Sequence, residues 1–582
     1  MDLFNSIRVR KPGYSTFNNS FENKLTAQFG ALVPVLCMDV IPGDYAKLRS
    51  EVFMRLMPLI SPVMQRMNIY LHFFFVPNRL IWDDWEEFIT GGEDGTAAPV
   101  PPFISPGAMY SLGRQSGVAD NGVFNTPRLL DYFGIPTVNW MKSKNDLGTP
   151  ATGFSALPFR AYSLIYNEYY RDQNVDEPIP FKKTSGGVSL TELTSIYQLR
   201  YRAWEKDYFT SALPDPQRGP DVTLPIGGSA PVCYDAGVNS AVYHSPNGSD
   251  VLFPQFFASN GTSSEPSVGG TFLGRSTINV RQGPGIPSVG SFLGNTAVSG
   301  GSDERRLGLT LPLASVDLSK AQSTTLITDL RRAIKLQEFL EISARTGARY
   351  KEQLMGYFGV RSSDARLQRP EFLGGGVQPI TIGDIMQTSG TDFGTASPST
   401  PQGNMAGYGI SYGRKAGFKR FFEEHGWIIG IMSVRPKSSY MQGMPRMFTR
   451  NSRFDYYWPQ FARIGEQEIR YKELYYEPDT ASSGNVNEDT FGYAPRYAEY
   501  KFRSDEFHGD FRDTLSFWHL GRIFKSSPEL DTSFIHVNPV TQNRIFAIED
   551  QGDLSSFDPL LFQIYHRLIV KRQMPKFGTP MI

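Results

Sequence analysis

The chain has 582 residues, with 58 Lys+Arg set against 58 Asp+Glu, so its formal net charge is zero. That balance argues against a protein whose main business is coating nucleic acid. A 40% hydrophobic and 13% aromatic content is ample for a sizeable core and excludes wholesale disorder. With 55 Gly and 41 Pro, long helices can occupy little of the chain. Cys37 and Cys233 are the only cysteines, so no disulfide framework is expected and two free thiols fit a reducing compartment. The start MDLFNSIRVRKPG lacks an apolar segment, and the longest apolar stretch, Ile69 to Val76, is too short to span a bilayer. The expectation is a soluble protein made in a cytoplasm, without membrane insertion.

Residues 30 to 81 read as short strands closed by Pro34, Pro42, Pro58 and Pro77. Ile69 to Val76 is apolar at nearly every position and predicts a strand covered on both faces. Asp83, Asp84, Glu86 and Glu87 mark either a short helix start or a solvated turn. Residues 91 to 160 read as mostly loop. In the segment Phe159 to Tyr170, the positions Tyr162, Ile165, Tyr166 and Tyr169 lie on one helical face and predict core packing.

Composition shifts at residues 214–302, where 15 Gly accompany only eight charged residues and no Lys. This stretch predicts an insertion outside the main fold. It carries Phe253, Phe256, Phe257, Phe272, Leu273, Phe292 and Leu293, so ordering against other copies of itself is expected rather than a disordered linker. Pro266-Ser-Val-Gly269 leading into Thr271-Phe-Leu-Gly274 is echoed by Pro287-Ser-Val-Gly290 leading into Ser291-Phe-Leu-Gly294. The clearest helix runs from Thr325 to Ala344, with an apolar stripe of Leu326, Leu330, Ile334, Phe339 and Leu340 and Gly347 just past its end. Downstream, Trp427 to Val434 is again too apolar for an exposed edge strand.

Catalytic signals fail on context. Gly409-Ile-Ser-Tyr-Gly413 matches the G-x-S-x-G string, but Ser411 reads as part of a glycine-rich loop with no strand before it and no helix after it. The seven histidines never pair at metal-ligand spacing, and no nucleotide-binding motif occurs. No enzyme, cofactor or metal is therefore expected. Basic clusters do exist. Arg8, Arg10 and Lys11 lie in an N-terminal arm, residues 1–29, and Arg567, Lys571, Arg572 and Lys576 lie in a C-terminal segment, residues 566–582, that holds no acid. Such groups, interleaved at the C-terminus with His566 and Phe577, suit phosphate neutralisation and base stacking; for the C-terminal segment a tail or strand gripping a neighbouring subunit is the equal alternative, whereas the N-terminal cluster is read toward the interior.

Several long segments resemble a known family. Among them are GALVPVLCMDVIPGDYAKL, MNIYLHFFFVPNRLIWDDWEEF, ITDLRRAIKLQEFLEISARTGARYKEQLMGYFGV, DARLQRPEFLGGG, EHGWIIGIMSVRP, MPRMFTRNSRFDYYWPQFARIGEQEI and FGYAPRYAEYKFR. Together they resemble the major capsid proteins of the Microviridae, in particular the gokushovirus branch. The resemblance implies a mainly β fold, an eight-stranded antiparallel jelly roll with long inserted loops and a few short helices. It implies sixty copies in a T=1 icosahedral shell around a circular single-stranded DNA genome, in a virion assembled in the bacterial host cytoplasm. Implied partners are other copies of the chain, the genome, a small basic DNA-packaging protein, a pilot protein, an internal scaffolding protein and a host surface receptor. In the family the insertion gathers in threes into a protrusion at each threefold axis, which makes its phenylalanines and leucines the candidate receptor contacts. A neutral shell protein also avoids binding host nucleic acid indiscriminately before assembly. Two other classes compete. A β-rich carbohydrate-binding or adhesin protein would use the insertion as its reading head but would want a signal peptide, and a hydrolase would need Ser411 to act.

Overall fold

In the computed structural model the described residues are 12–106, 108, 128–135, 153–220, 327–347, 349–390, 402–477, 486–547 and 558–577, with residue 222 and short strands between 232 and 316. The chain divides into two units, Asp221–Gln337 and the rest. In chain order the main strands of the larger unit are β1 (Ser15–Asn18), β2 (Phe21–Ala27), β3 (Val33–Val40), β4 (Tyr45–Leu56), β5 (Met67–Pro77), β6 (Glu371–Pro379), β7 (Thr381–Met386), β8 (Met405–Phe421), β9 (Gly426–Pro436), β10 (Glu466–Arg470), β11 (Thr490–Pro495) and β12 (Leu560–Arg572).

Two antiparallel sheets carry the architecture. The larger has the order β1–β12–β4–β8–β7, with β2 also paired to β12, and the smaller has the order β6–β5–β9–β3. Every pairing in both is antiparallel. The alternation in β4 shows why the larger sheet is one-sided: Ala46, Leu48, Ser50, Val52, Met54 and Leu56 are buried, whereas Lys47, Arg49 and Arg55 between them are exposed. Its inward residues join Phe73, Ile428 and Val434 of the smaller sheet in one core, making a β-sandwich. β9 approaches β5 closely at Gly430, where a Cβ would lie 2.9 Å from the Phe73 ring. On edge strand β3 the ladder to β9 shifts register between Gly430 and Ile431, at Pro34, which has no N–H to donate.

The smaller sheet is covered on its other face as well. Phe74, Val76, Ile429 and Ile431 pack there against Trp82, Phe159, Tyr162 and Ile165, which accounts for the unbroken apolar runs predicted in β5 and β9. The acids after Trp82 do open a helix, α1 (Trp85–Thr90), with Glu86 and Glu87 in its first turn. The predicted aromatic segment is α2 (Leu157–Ile165) continued by a π turn, Tyr166–Tyr170, and it buries Tyr162, Ile165 and Tyr166 as expected. Arg160 of α2 is 1% exposed and pairs with Glu192 of α3 (Leu190–Ile196) at 3.2 Å, so this covering layer also buries an ion pair.

One expectation needs correction. Ser411 is not in a loop: it lies within the 17-residue β8, buried, donating to the Pro379 carbonyl at 2.6 Å and accepting from Gln378 Nε2 at 2.6 Å. The glycines around it let β8 pass close to its neighbours, and with β9 following there is still no nucleophile elbow. Of the N-terminal arm, residues 15–18 and 21–27 are strands of the larger sheet. The predicted helix is present as α4 (Ile327–Thr346), ending at Gly347 with φ of 99°, and Leu330, Ile334 and Phe339 of its stripe are exposed. It is followed by α5 (Tyr350–Phe358).

Within Asp221–Gln337 the described residues form short antiparallel ladders. Residues 240–244 pair with 250–254, residues 278–282 with 286–290, and residues 232–234 with 314–316. Residues 256–258 and 297–298 flank 305–309. The echo at 287–290 lies on one of these strands; its first copy, residues 266–274, lies outside the described residues.

Candidate nucleic-acid interface

The C-terminal basic segment is largely strand. β12 lies between β4 and the β1–β2 pair, and its alternation buries Leu560, Phe562, Ile564, His566, Leu568 and Val570. Arg567 and Lys571 therefore project from the opposite, solvent-facing side. The ladder brings further cations to that face. Arg567 is the register partner of Arg49, Ile569 is the partner of Lys47, and Lys47 is in turn the partner of Lys419 on β8. Like charges directly opposite each other weaken an antiparallel pair, so a row of this kind is unfavourable in an isolated sheet. The acid on β4's outer face, Glu51, is already paired with Arg414 at 2.8 Å. Tyr45, Phe53 and Tyr565 share the face and supply rings among the cations.

The four predicted C-terminal cations thus have different settings. Arg567 and Lys571 are exposed, and the Lys571 ammonium sits 5.4 Å from the Tyr14 ring. Arg572 donates to Asp44 Oδ2 at 2.9 Å and to the Asp39 carbonyl at 3.0 Å, tying the end of β12 to the β3–β4 turn. Burial nevertheless holds the Asp44 carboxyl above its ordinary range. Lys576, beyond the strand, lies 5.9 Å from the Phe577 ring. His566 adds no charge: it is buried, its Nδ1 is 2.8 Å from Ser50 Oγ, and burial pulls its pKa down to about 4. Lys47, Arg49 and Lys419 were missed in the sequence because none belongs to an acid-free basic run: Lys47 and Arg49 alternate with Ala46, Leu48 and Ser50 ahead of Glu51, and Lys419-Arg420 is followed by Glu423 and Glu424. The period-2 pattern of Tyr45–Leu56 carried the signal that would have found two of them.

Arg8, Arg10 and Lys11 lie outside the described residues. So do Phe272, Leu273, Phe292 and Leu293, while Phe253, Phe256 and Phe257 lie on strands 250–254 and 256–258.

A second surface has the chemistry of a protein contact. Phe448, Tyr456, Tyr457 and Trp458 are exposed, and guanidiniums lie over neighbouring rings: Arg450 is 4.4 Å from Tyr500 and Arg453 is 4.7 Å from Phe454. Aromatics and arginines are the residue types favoured where proteins meet.

No helix among the described residues is long and apolar enough to cross a membrane. The family model described as "Capsid protein (F protein)" matches residues 7–582. The chain is 36% identical to "Capsid protein VP1" of Bdellovibrio phage phiMH2K, covering 97% of this chain and 95% of that one. It is likewise 36% identical to "Capsid protein VP1" of Chlamydia phage 1, covering 97% and 95%. The protein of the same name from Spiroplasma virus 4 is 29% identical, covering 95% of this chain and 92% of its own. A β-sandwich with an uncovered cationic sheet face and an exposed aromatic ledge accords with these matches across the whole length, and the chain belongs to the phage capsid protein (F protein) family, a structural component of virions and not an enzyme.

Proposed function

We propose that this protein is the major shell subunit of a gokushovirus-like phage, that sixty copies close a T=1 icosahedron, and that the outer face of the larger sheet turns toward a single-stranded DNA genome. The observation that carries the DNA reading is the cation row on that face, where Arg49 opposes Arg567 and Lys47 opposes Lys419. Phosphates relieve that repulsion, and the interleaved rings offer stacking. The strand order supports a jelly roll: setting aside β1, β7, β10 and β11, the remaining eight long strands make two four-stranded sheets, β2–β12–β4–β8 and β3–β9–β5–β6. The exposed stripe of α4 and the ledge around Trp458 are read as contacts between copies.

A small basic packaging protein, a pilot protein and an internal scaffolding protein complete the assembly in the bacterial cytoplasm. The Gly/Phe-rich insertion meets the host receptor as a threefold protrusion, through Phe253, Phe256, Phe257, Phe272, Leu273, Phe292 and Leu293. The N-terminal Arg8, Arg10 and Lys11 add to the interior charge.

Sedimentation and negative-stain microscopy of the expressed chain, with and without scaffolding protein, test this reading. Particles of roughly 3.9 MDa with threefold knobs are expected from sixty chains of 65.3 kDa. A monomer under both conditions would overturn it. Particles lacking residues 226–300 should still form but fail to adsorb to cells; normal adsorption would remove the receptor role.

A further inference from the structure

Beyond the outer sheet face, the larger unit holds a cavity of about 940 Å³ beside β5 and β6. This is at the upper end of the size of small-ligand sites. Six cations line it, Arg202, Lys351, Arg361, Lys419, Arg420 and Arg435, against two carboxylates, Asp364 and Glu371. Both acids are already engaged, Asp364 by Lys351 and Glu371 by Arg420 at 2.8 Å. Among the described residues, Arg202, Arg361 and Lys419 have no ion-pair partner, and Arg435 has only Glu205 at 3.8 Å. The excess positive charge is built into the wall rather than carried on loose side chains. The guanidiniums of Arg202 and Arg435 lie 4.0 and 4.9 Å from the one Tyr70 ring, Arg202 donates to Ser433 Oγ at 3.0 Å, and Arg435 donates to the Ala203 carbonyl at 3.1 Å. Two like charges held over one ring, with Glu205 at 3.8 Å from Arg435 as their nearest carboxylate, leave a net positive charge that an anion would complement.

Part of the remaining wall is aromatic. His72 lies 6.0 Å from Tyr170 in a stacked arrangement, and Phe372 closes edge-on to His72 at 5.8 Å and to Phe74 at 5.6 Å. Phe372 is half-exposed at 48% and so presents ring surface to an incoming group. Burial, together with Arg202 and Arg435, pulls the His72 pKa down to about 4, so at neutral pH it is an uncharged ring. Lys419 is common to both places: it lines the cavity and is also the register partner of Lys47.

We propose that this cavity is a nucleotide-sized site for single-stranded nucleic acid, with a backbone phosphate between Arg202, Arg435 and Arg361 and a base against Phe372 and His72. An acidic peptide would use the cations but leave the ring wall without a role. The inference deepens the genome-contact reading above and rests on it for the ligand, yet it fails separately from shell assembly.

The test is binding of a fluorescent ten-nucleotide oligo(dT) to the purified full-length chain across a salt series. Two exposed-residue variants, Arg361→Ala and Phe372→Ala, are included once each is shown to keep the wild-type unfolding midpoint. Each variant is expected to weaken binding about tenfold. Arg361→Ala alone should also lower the slope of log K against log salt by about 0.7, the value for one lost single-strand phosphate contact. Thymidine monophosphate should compete at least tenfold better than inorganic phosphate. Unchanged affinity in both variants would overturn the site. Equal competition by inorganic phosphate, with Phe372→Ala neutral, would reduce it to a simple anion site and overturn the base contact. Particles that assemble while both variants bind normally would remove this inference and leave the shell reading standing; wild-type binding that needs both residues, in a chain that never assembles, would do the reverse.

Discussion

The two sheets of the sandwich share a core but treat their outer faces in opposite ways. The smaller sheet is covered by its own chain: Phe74, Val76, Ile429 and Ile431 lie under Trp82 and α2, and all are essentially inaccessible. The larger sheet leaves Lys47, Arg49, Arg55, Arg567 and Lys571 in solvent. A face that the chain covers itself needs apolar residues on both sides of the strand, because burying an unpaired charge there is prohibitive. A face that awaits a partner of another chemistry can remain polar until the partner arrives. On the proposed reading, the difference separates the part of the molecule complete at folding from the part that a partner would complete.

The largest effect should come from removing the cover. Trp82 is fully buried, donates from Nε1 to Ser185 Oγ at 2.7 Å, and packs against Trp85 and Phe88. Trp82→Ala is expected to cost about 3–5 kcal/mol in chemical denaturation, from lost burial and the cavity left behind. A loss under about 1 kcal/mol would mean that the smaller sheet does not depend on its covering layer, and the contrast between the faces would lose its physical basis.

How legible each face was follows from the same contrast. The doubly covered strands β5 and β9 were readable because an unbroken apolar run is hard to place anywhere but between two covering layers, and the segment of α2 was readable from its 3.6-residue period. Ser411 was misplaced because glycines 407, 409, 413 and 417 suggest a loop, whereas in β8 they admit close neighbours; a Cβ at Gly417 would meet the Leu48 carbonyl at 2.3 Å. The cation row was only half visible. Arg567 and Lys571 sit in an acid-free segment that draws notice, but Lys47 and Arg49 on β4 and Lys419 on β8 lie far from it in the chain. Only the antiparallel register of β12, β4 and β8 brings them together. The cavity was invisible for the same reason, since Arg202, Arg361 and Arg435 come from segments far apart in the chain.

An intermediate effect should appear with pH, at the inward side of β12. His566 is buried with a pKa of about 4 against an ordinary 6.5. Between those values the unfolded chain binds a proton that the folded chain does not, so stability falls as pH drops from 6.5 and levels off below 4. The full change is about 3 kcal/mol for this one group. Denaturation at pH 7 and pH 4.5 should show a His566→Gln variant losing less stability over this interval than the parent chain. Parallel losses in the two proteins would assign the acid sensitivity elsewhere, His519 and His72 being imidazoles whose pKa burial also lowers.

The smallest stability effect, and the most discriminating, belongs to the outward side of the same strand. Arg49 and Arg567 face each other across the ladder. If the row exists for a polyanion, neutralising one member should relieve repulsion, so Arg49→Gln or Arg567→Gln should stabilise the free chain by a few tenths of a kcal/mol at low salt. The gain should vanish near 1 M salt, where the screening length is about 3 Å. The same variants should bind single-stranded DNA more weakly, each lowering the salt slope by about 0.7. A structural role predicts the opposite sign: a loss of stability that persists in salt, with DNA binding unchanged. On the covered face the same kind of change should only destabilise, because Phe74, Val76, Ile429 and Ile431 are buried against Trp82 and α2.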